Sequence, residues 1–528
     1  MSTDVVRPQD GAAGGSLDTT LSGTGARVLG GGAWQVASNV APFLYTTAVS
    51  IVAARVLGPV GMGRQSFIAF VVLATMTLCS AGFPGALPRY AGELVGKGRE
   101  GVLSALAAWA WRIQLVAGLI GALFLIALAA LGAEPTAAWL CGAVAVVAGV
   151  LHKVPGSLLN GVQRWGQNSM VIIATGAAST VATIIALAAG WGITGMFVVL
   201  AATNIAMLVW ARVLFSKVLE GITSTRQALG DLRGEIVRFA LAASVPMILG
   251  FVVFQRSEFF FLERFSSNTQ IALYSIAFSV FAVLVAMPVA LANTVAPAVA
   301  TLHGAGAEAR IRAGYARGLR LLLFICIPVM AAGYVFGPSL VRLVFGNQYA
   351  GAGDILLVLL IPLLVIPLGG LSTGFLYGYG RIRVPVIAGI VATVVDLTLA
   401  GLLVPSFEAI GAAVANVCAQ LISALVVLLY SIRLVGGVDV APGHLGKVGL
   451  ATGAAAAASL GVLELGDHAV TLVPAMVVGT IVFALLARGL RILPREDGHW
   501  LADTAGRGRP RVRRVFLRLS GAPLGATR

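Results

Sequence analysis

Apolar residues dominate this chain in long blocks rather than at alternating positions. A helix that crosses a bilayer needs about 20 predominantly apolar residues. Blocks of that kind predict spans near 29–57, 62–84, 103–131, 136–160, 166–189, 192–215, 236–262 and 270–298. Further spans are predicted near 314–336, 352–377, 384–404, 409–431, 446–464 and 469–487, fourteen in all. The gaps at 131–136 and 189–192 are short enough that twelve is the alternative count. The predicted fold class is an all-α polytopic membrane protein.

Composition narrows the class without changing it. Of 528 residues, 58% are hydrophobic and only 11% charged, with a mean hydropathy of +0.95. A soluble domain carries about 25% charged residues, and a disordered chain needs low hydrophobicity, so both are excluded. The net charge of +15 is a topology signal rather than a nucleic-acid signal. With a cytoplasmic N-terminus, the inner loops hold Arg89, Lys97, Arg99, Arg164, Arg212, Lys217, Arg226, Arg233, Arg238, Arg310, Arg312, Arg317, Arg320, Arg381, Arg383, Arg433 and Lys447. The outer loops hold Arg64, Arg264 and Arg342, with Arg55 at a helix end. That alternation predicts both termini in the cytoplasm.

Residues 1–27 lack the basic start and short apolar core of a cleaved signal and are expected to form a disordered tail. Residues 488–528 carry ten Arg and are expected to be a solvated basic tail or one lying on the anionic inner leaflet. Cys79, Cys141, Cys326 and Cys418 all fall inside spans at no metal-ligand spacing, and the five His are scattered. There is no Walker A sequence or nucleophile elbow, and neither an enzyme nor a cofactor is expected.

The chain also repeats itself. Arg55 to Ser66 aligns with Arg264 to Ser275 at an offset of 209, and Pro88 falls on Pro297 at the same offset. Pro42 and Pro246 each sit in the first half of the leading helix. Six helices separate the copies, so the halves share one orientation, as in a parallel repeat about the membrane normal. The expected domains are a six-helix lobe at 28–217, a linker at 218–235 and a second lobe at 236–435. Two additional helices at 446–487 follow.

Several short motifs occur in order across residues 28–435. Ala54-Arg55-Val56-Leu57-Gly58-Pro59-Val60-Gly61, then Pro88-Arg89-Tyr90, resembles the start of polysaccharide repeat-unit flippases of the MATE-like MOP superfamily. Gln255-Arg256-Ser257-Glu258 followed by Ile271-Ala272-Leu273-Tyr274-Ser275 is similar to the start of their second lobe. Gly378-Tyr379-Gly380-Arg381 and Ala409-Ile410-Gly411-Ala412-Ala413 resemble their tenth-to-twelfth helix region. The resemblance implies translocation of a polyprenyl-pyrophosphate-linked glycan from the inner to the outer leaflet of a bacterial plasma membrane. Membrane lipids, a polysaccharide polymerase and glycosyltransferases are the implied partners, with no nucleic acid.

Charge near the bilayer centre is costly and so marks candidate function. Arg112, Lys153 and Arg256 are the candidate diphosphate ligands, expected to line one inter-lobe cleft at successive depths. Arg suits phosphate because its guanidinium bonds two oxygens at once. The competing readings are a snorkelling Lys153 and an Arg112 stacked on Trp109. Asp396 and Glu258 are candidate coupling acids. Arg55, Arg264 and Glu263 are candidates for an outer gate, with interfacial anchoring as the bland alternative. Arg89 and Glu93 are candidate head-group contacts on the inner face, or part of an amphipathic surface helix. A peptidoglycan lipid II flippase, a cation-coupled multidrug exporter and a non-transporting scaffold are the alternatives. The multidrug reading is disfavoured because no acid lies between Asp18 and Glu93.

Overall fold

Helix is the economical answer for a chain this apolar, because each backbone N–H and C=O is satisfied within its own segment. The computed structural model describes residues 15–80, 82–221, 227–230, 232–292, 299, 302–304, 306–466, 468–504 and 510–520; residues 15–40 are described by their backbone. Among the described residues there are helices and turns but no strand.

Among the described residues, twelve helical stretches are long and apolar enough to cross a membrane, and two of these are divided. Ala41–Gly96 has 56 residues, about 84 Å at the rise of an α-helix against a hydrocarbon core of about 30 Å. Gly58 (φ 66, ψ 177) breaks it into α1 (15–57) and α2 (59–80). A second break at 81–82 precedes α3 (Phe83–Gly96). Arg383–Val435 is likewise broken at Glu408 (φ 49, ψ −128), giving α14 (383–407) and α15 (409–435). Dividing these two stretches yields the predicted fourteen spans.

The short gaps are genuine reversals. α4 (Leu103–Ala130) and α5 (Thr136–Gly161) pack on each other across Gly132, and α6 (Trp165–Ala188) and α7 (Gly192–Glu220) across Gly190. The φ values of 93° and 80° at these glycines let the chain turn in so few residues.

The second half runs α8 (Leu232–Phe254), α9 (Phe259–Phe265), α10 (Asn268–Ala292), α11 (Glu308–Phe345), α12 (Gly351–Leu359) and α13 (Ile366–Gly378), then α14 and α15. A 3₁₀ turn at Ile361–Leu364 joins α12 to α13 within one span. α8 and α9 correct one expectation: the predicted span 236–262 is interrupted at 255–258, where Arg256 has φ 66. Pro246 lies inside α8 and is not the break.

The repeat leaves a physical signature. α2 begins at residue 59 and α10 at residue 268, 209 apart. These helices meet each other, and Ser66 Oγ donates to Ser275 Oγ at 3.0 Å. Equivalent positions in two copies can touch only beside the axis that relates them. A Cβ on Gly63 would come within 1.7 Å of the Asn268 carbonyl oxygen, so α2 and α10 approach backbone to backbone there. One apolar core crosses this seam, with Phe70 of α2 against Phe251, Phe259 and Phe260 at 5.8, 5.5 and 5.1 Å. Pro297 and Arg226 lie outside the described residues.

Both tails depart from expectation. α1 starts at Gly15, so residues 15–27 are helical rather than irregular, while residues 1–14 lie outside the described residues. After α16 (Pro442–Leu463) and α17 (His468–Leu490), the basic tail is not simply solvated. It forms α18 (Arg495–Thr504) and α19 (Pro510–Ser520), which pack on each other. The expected linker shrinks as well, since α7 reaches Glu220 and α8 begins at Leu232.

Candidate functional site

The break between α8 and α9 turns Ser257 and Glu258 into the protein interior and leaves Arg256 half-buried, while Gln255 stays exposed. Helical spacing would put Arg256 and Glu258 on different faces, and the left-handed Arg256 separates them further. Arg256 turns toward α10. It donates from Nη1 to Ser275 Oγ at 3.1 Å and from Nη2 to Ser279 Oγ at 3.0 Å, and lies 4.8 Å from the Phe278 ring centroid. Because Ser275 also accepts from Ser66, this guanidinium sits one hydrogen bond from the first lobe.

Glu258 turns the other way, into the second lobe, and is fully buried. Asn416 Nδ2 of α15 donates to Glu258 Oε1 at 2.7 Å and to the Val253 carbonyl at 3.1 Å. Gln420, one turn on, donates to Asn416 Oδ1. Asp396 of α14 is also fully buried, accepts from Ser257 Oγ at 2.8 Å and lies against Glu258. Glu258 Oε2, Asp396 Oδ1 and the Tyr274 hydroxyl cluster here without a well-formed hydrogen bond of their own. Two carboxyls that face each other with oxygens to spare can share one proton, or bind one small hard cation through oxygen. Sequence reasoning named both acids but missed Asn416 and Gln420, whose spacing of four in an apolar helix was the available signal.

The three cations are not gathered on one wall. Lys153 of α5 is a cap: Nζ donates to Ser80 Oγ at 2.7 Å and reaches the Met76 carbonyl at 3.5 Å, where α2 ends. Gln114 of α4 adds a contact to the Ser80 carbonyl at 3.4 Å. Of these, the Ser80 carbonyl that Gln114 meets is one the helix end leaves without an intrahelical donor, while Lys153 holds the Ser80 hydroxyl. Arg112 is exposed on the same stripe of α4 as Leu115, Val116, Leu119, Ile120 and Leu123. An exposed apolar stripe of this kind suits contact with the bilayer, and it sets Arg112 apart from the half-buried Arg256.

The gate candidates divide similarly. Arg55 reaches across the seam, but to backbone rather than to Glu258 or Glu263. Its Nε donates to the Val344 carbonyl at 2.8 Å and Nη2 to the Leu343 carbonyl at 2.9 Å, at the C-terminus of α11. A cation there also meets the negative end of the helix dipole. Tyr349 Oη adds a second link, donating to the Ala54 carbonyl at 2.7 Å. Glu263 is in electrostatic reach of Arg64 on α2, while Arg264 stays over the Phe265 ring at 5.5 Å. At the opposite end of the seam, Arg89 lies 4.4 Å from the Phe239 ring centroid on α8, and Tyr90 Oη donates to Glu235 Oε1 at 3.3 Å. Glu93 of α3 pairs with Lys97, the residue just past its end, at 2.5 Å. The lobes therefore touch at both ends.

Two helical lobes meeting along a seam that is apolar apart from a few buried polar contacts define a polytopic membrane protein built from an internal repeat. Residues 243–402, which include both buried acids, match the MatE family model. No curated protein matches the chain by sequence. A solved structure of the lipid II flippase MurJ in an inward closed conformation is similar at TM-score 0.64 and 13% identity, covering 88% of this chain and 98% of that one. A multidrug-resistance MATE-family transporter of the MOP superfamily is similar in its inward-facing conformation at TM-score 0.60 and 16% identity, covering 77% and 98%. An outward-facing structure of that kind gives TM-score 0.53 at 17% identity, covering 78% and 95%. The chain thus shares its fold with MOP-superfamily transporters, and its MatE match covers residues 243–402.

Proposed function

We propose that this chain is a flippase that carries a polyprenyl-pyrophosphate-linked oligosaccharide from the inner to the outer leaflet of a bacterial plasma membrane. The observation that carries the reading is Arg256, a guanidinium held at the seam by two serine hydroxyls, one of them on the axis between lobes. When the lobes part there, Arg256 gains access to the gap and its two donors are free to grip a diphosphate. The polyprenyl chain stays in the hydrocarbon, and only the charged head needs the polar path. The pseudo-symmetric seam and the contacts at both ends support rocking of one lobe against the other. The greater share of the chain covered by the MurJ comparison, 88% against 77%, is consistent with helices beyond a twelve-helix body.

The lobes of 28–217 and 236–435 are the moving bodies in this proposal, and both termini are cytoplasmic. Polymerase and glycosyltransferases act on either side of the step. The Glu258–Asp396 pair is the coupling site, discharging a proton or a small cation as the lobes exchange contacts.

That acid pair favours a second reading, a cation-coupled exporter of amphipathic drugs, since it lies within the MatE-matched segment. Purified protein in liposomes with a fluorescent diphosphate-linked lipid separates the two. A flippase makes the outer-leaflet head group accessible to a membrane-impermeant enzyme or quencher, and Arg256→Ala stops it. Efflux of cationic dyes without head-group translocation would instead establish the exporter.

A further inference from the structure

The basic tail holds a second built feature, joined to the N-terminal half of α11. Asp497 of α18 is fully buried and takes three charge-assisted hydrogen bonds. Arg317 Nε donates to Oδ1 at 2.9 Å, Arg320 Nε to Oδ2 at 2.9 Å and Arg320 Nη2 to Oδ1 at 2.9 Å. Arg320 also donates to the Asp439 carbonyl at 3.0 Å, and Arg317 lies 5.3 Å from the Trp500 ring centroid. α19 is fastened to α18 in turn: a Cβ on Gly498 would overlap Ser520, and Leu493 N–H donates to the Leu519 carbonyl at 3.2 Å. Leu517 is buried between them.

The outward face of this helical pair is not ordinary solvated surface. On α19, Arg514 and Arg518 are exposed one turn apart, beside Val515 at 53% exposure, and Trp500 of α18 is 43% exposed. The exposed arginines and valine of α19 suit the boundary between head groups and acyl chains, while Trp500 lies over Arg317 on the side of α18 turned to α11. Depth agrees. α11 has 38 residues, about 57 Å, which exceeds the hydrocarbon core and leaves roughly two or more turns beyond it. Arg317 and Arg320 lie about 14 and 18 Å from its start, within reach of the head-group layer.

We propose that α18 and α19 form a membrane-surface anchor that binds anionic phospholipid head groups and is tied to α11 through Asp497. Seated on the leaflet, the anchor fixes the inner end of α11 relative to the bilayer plane. Its occupant is the anionic bilayer surface, not a soluble polyanion.

The test uses the full chain in nanodiscs, with Cys79, Cys141, Cys326 and Cys418 replaced and a nitroxide placed by Val515→Cys. Collision with oxygen reports immersion, and collision with a water-soluble nickel chelate reports exposure. With phosphatidylglycerol the label should favour oxygen, and with phosphatidylcholine alone it should favour nickel. Arg514→Gln with Arg518→Gln should reduce the immersed population by about fivefold per charge. Asp497→Asn should raise label mobility by releasing the pair from α11. Equal nickel access in both lipids, or lipid dependence that survives the double Arg replacement, would overturn the anchor. Unchanged label mobility in Asp497→Asn would refute the tie to α11. Both outcomes are independent of whether the protein flips a lipid-linked glycan.

Discussion

Gly63→Ala should wedge the lobes apart at the axis. The new Cβ would stand 1.7 Å from the Asn268 carbonyl oxygen, and contacts below 3.0 Å are not tolerated. The helices must therefore separate by at least 3.0 − 1.7 = 1.3 Å at that level. The obstacle is backbone on both sides, so no side-chain rotation relieves it. Ser66 lies one turn along α2, and adding the same 1.3 Å to its 3.0 Å bond with Ser275 gives 4.3 Å, too long for a hydrogen bond. Overpacking of this kind costs about 1–3 kcal/mol, which lowers the population of the shut seam by roughly five- to 150-fold. The assay is disulfide formation in a Ser66→Cys/Ser275→Cys pair, in a background without the four natural cysteines. The hydroxyl oxygens are 3.0 Å apart, so the thiols fall within bonding reach. A protease site inserted between residues 221 and 227 releases two fragments unless the bond has formed. The parent should crosslink readily and lose transport reversibly. Adding Gly63→Ala should slow crosslinking at least fivefold, by the lower bound of that cost. Crosslinking at the parent rate would refute the backbone contact and the seam built on it.

Other outcomes follow from the same geometry. Arg256→Ala should abolish head-group translocation while membrane insertion persists, and Arg256→Lys should keep part of the activity in the liposome assay because it retains charge without the fork. Glu258→Gln and Asp396→Asn should each make transport insensitive to imposed proton and sodium gradients, read as flux with and without each gradient. Lys153→Ala removes the charge-assisted hydrogen bond to Ser80 Oγ that ties α5 to the end of α2 and should cost about 1.5–3 kcal/mol, measured as a lower midpoint of thermal unfolding in detergent, with Lys153→Arg partly restoring it. Reporter fusions after Gly437 and at the C-terminus should both read cytoplasm; an external C-terminus would contradict fourteen spans.

Hydropathy made the spans legible because every helix must satisfy its own backbone in hydrocarbon, and that constraint is local. The repeat was legible at Ser66 and Ser275 because two copies retain enough identity at their shared boundary. The break at 255–258 was harder: it contains neither Gly nor Pro, and its signal is four polar residues in a row inside an apolar run. Pairing across distance was not legible at all. Glu258 finds Asn416, 158 positions later, and Arg55 finds carbonyls nearly 290 positions away, since a bare C=O carries no sequence signature. Lys153 and Arg112 were grouped by depth, yet depth does not fix which side of a helix faces a neighbour and which faces lipid. The helices of the tail were hidden for a related reason. Its Arg content reads as solvated until Asp497, the acid placed between Arg317 and Arg320, is seen to hold α18 against α11.

The meeting of Ser66 with Ser275 also bears on how such a chain could arise. If the two lobes descend from one gene whose product paired with itself, the residue on the axis once faced its own copy. A lysine there would repel its twin and an aspartate would do the same, whereas an alanine would offer no directional bond. A hydroxyl both donates and accepts, so a serine is complementary to another serine without any second mutation. Self-complementary chemistry at the axis is thus a condition for the single-lobe ancestor to dimerise at all. After fusion that condition lapses, and the off-axis positions are free to diverge: the Glu258–Asp396 pair in one half and Lys153 in the other show how far they have gone.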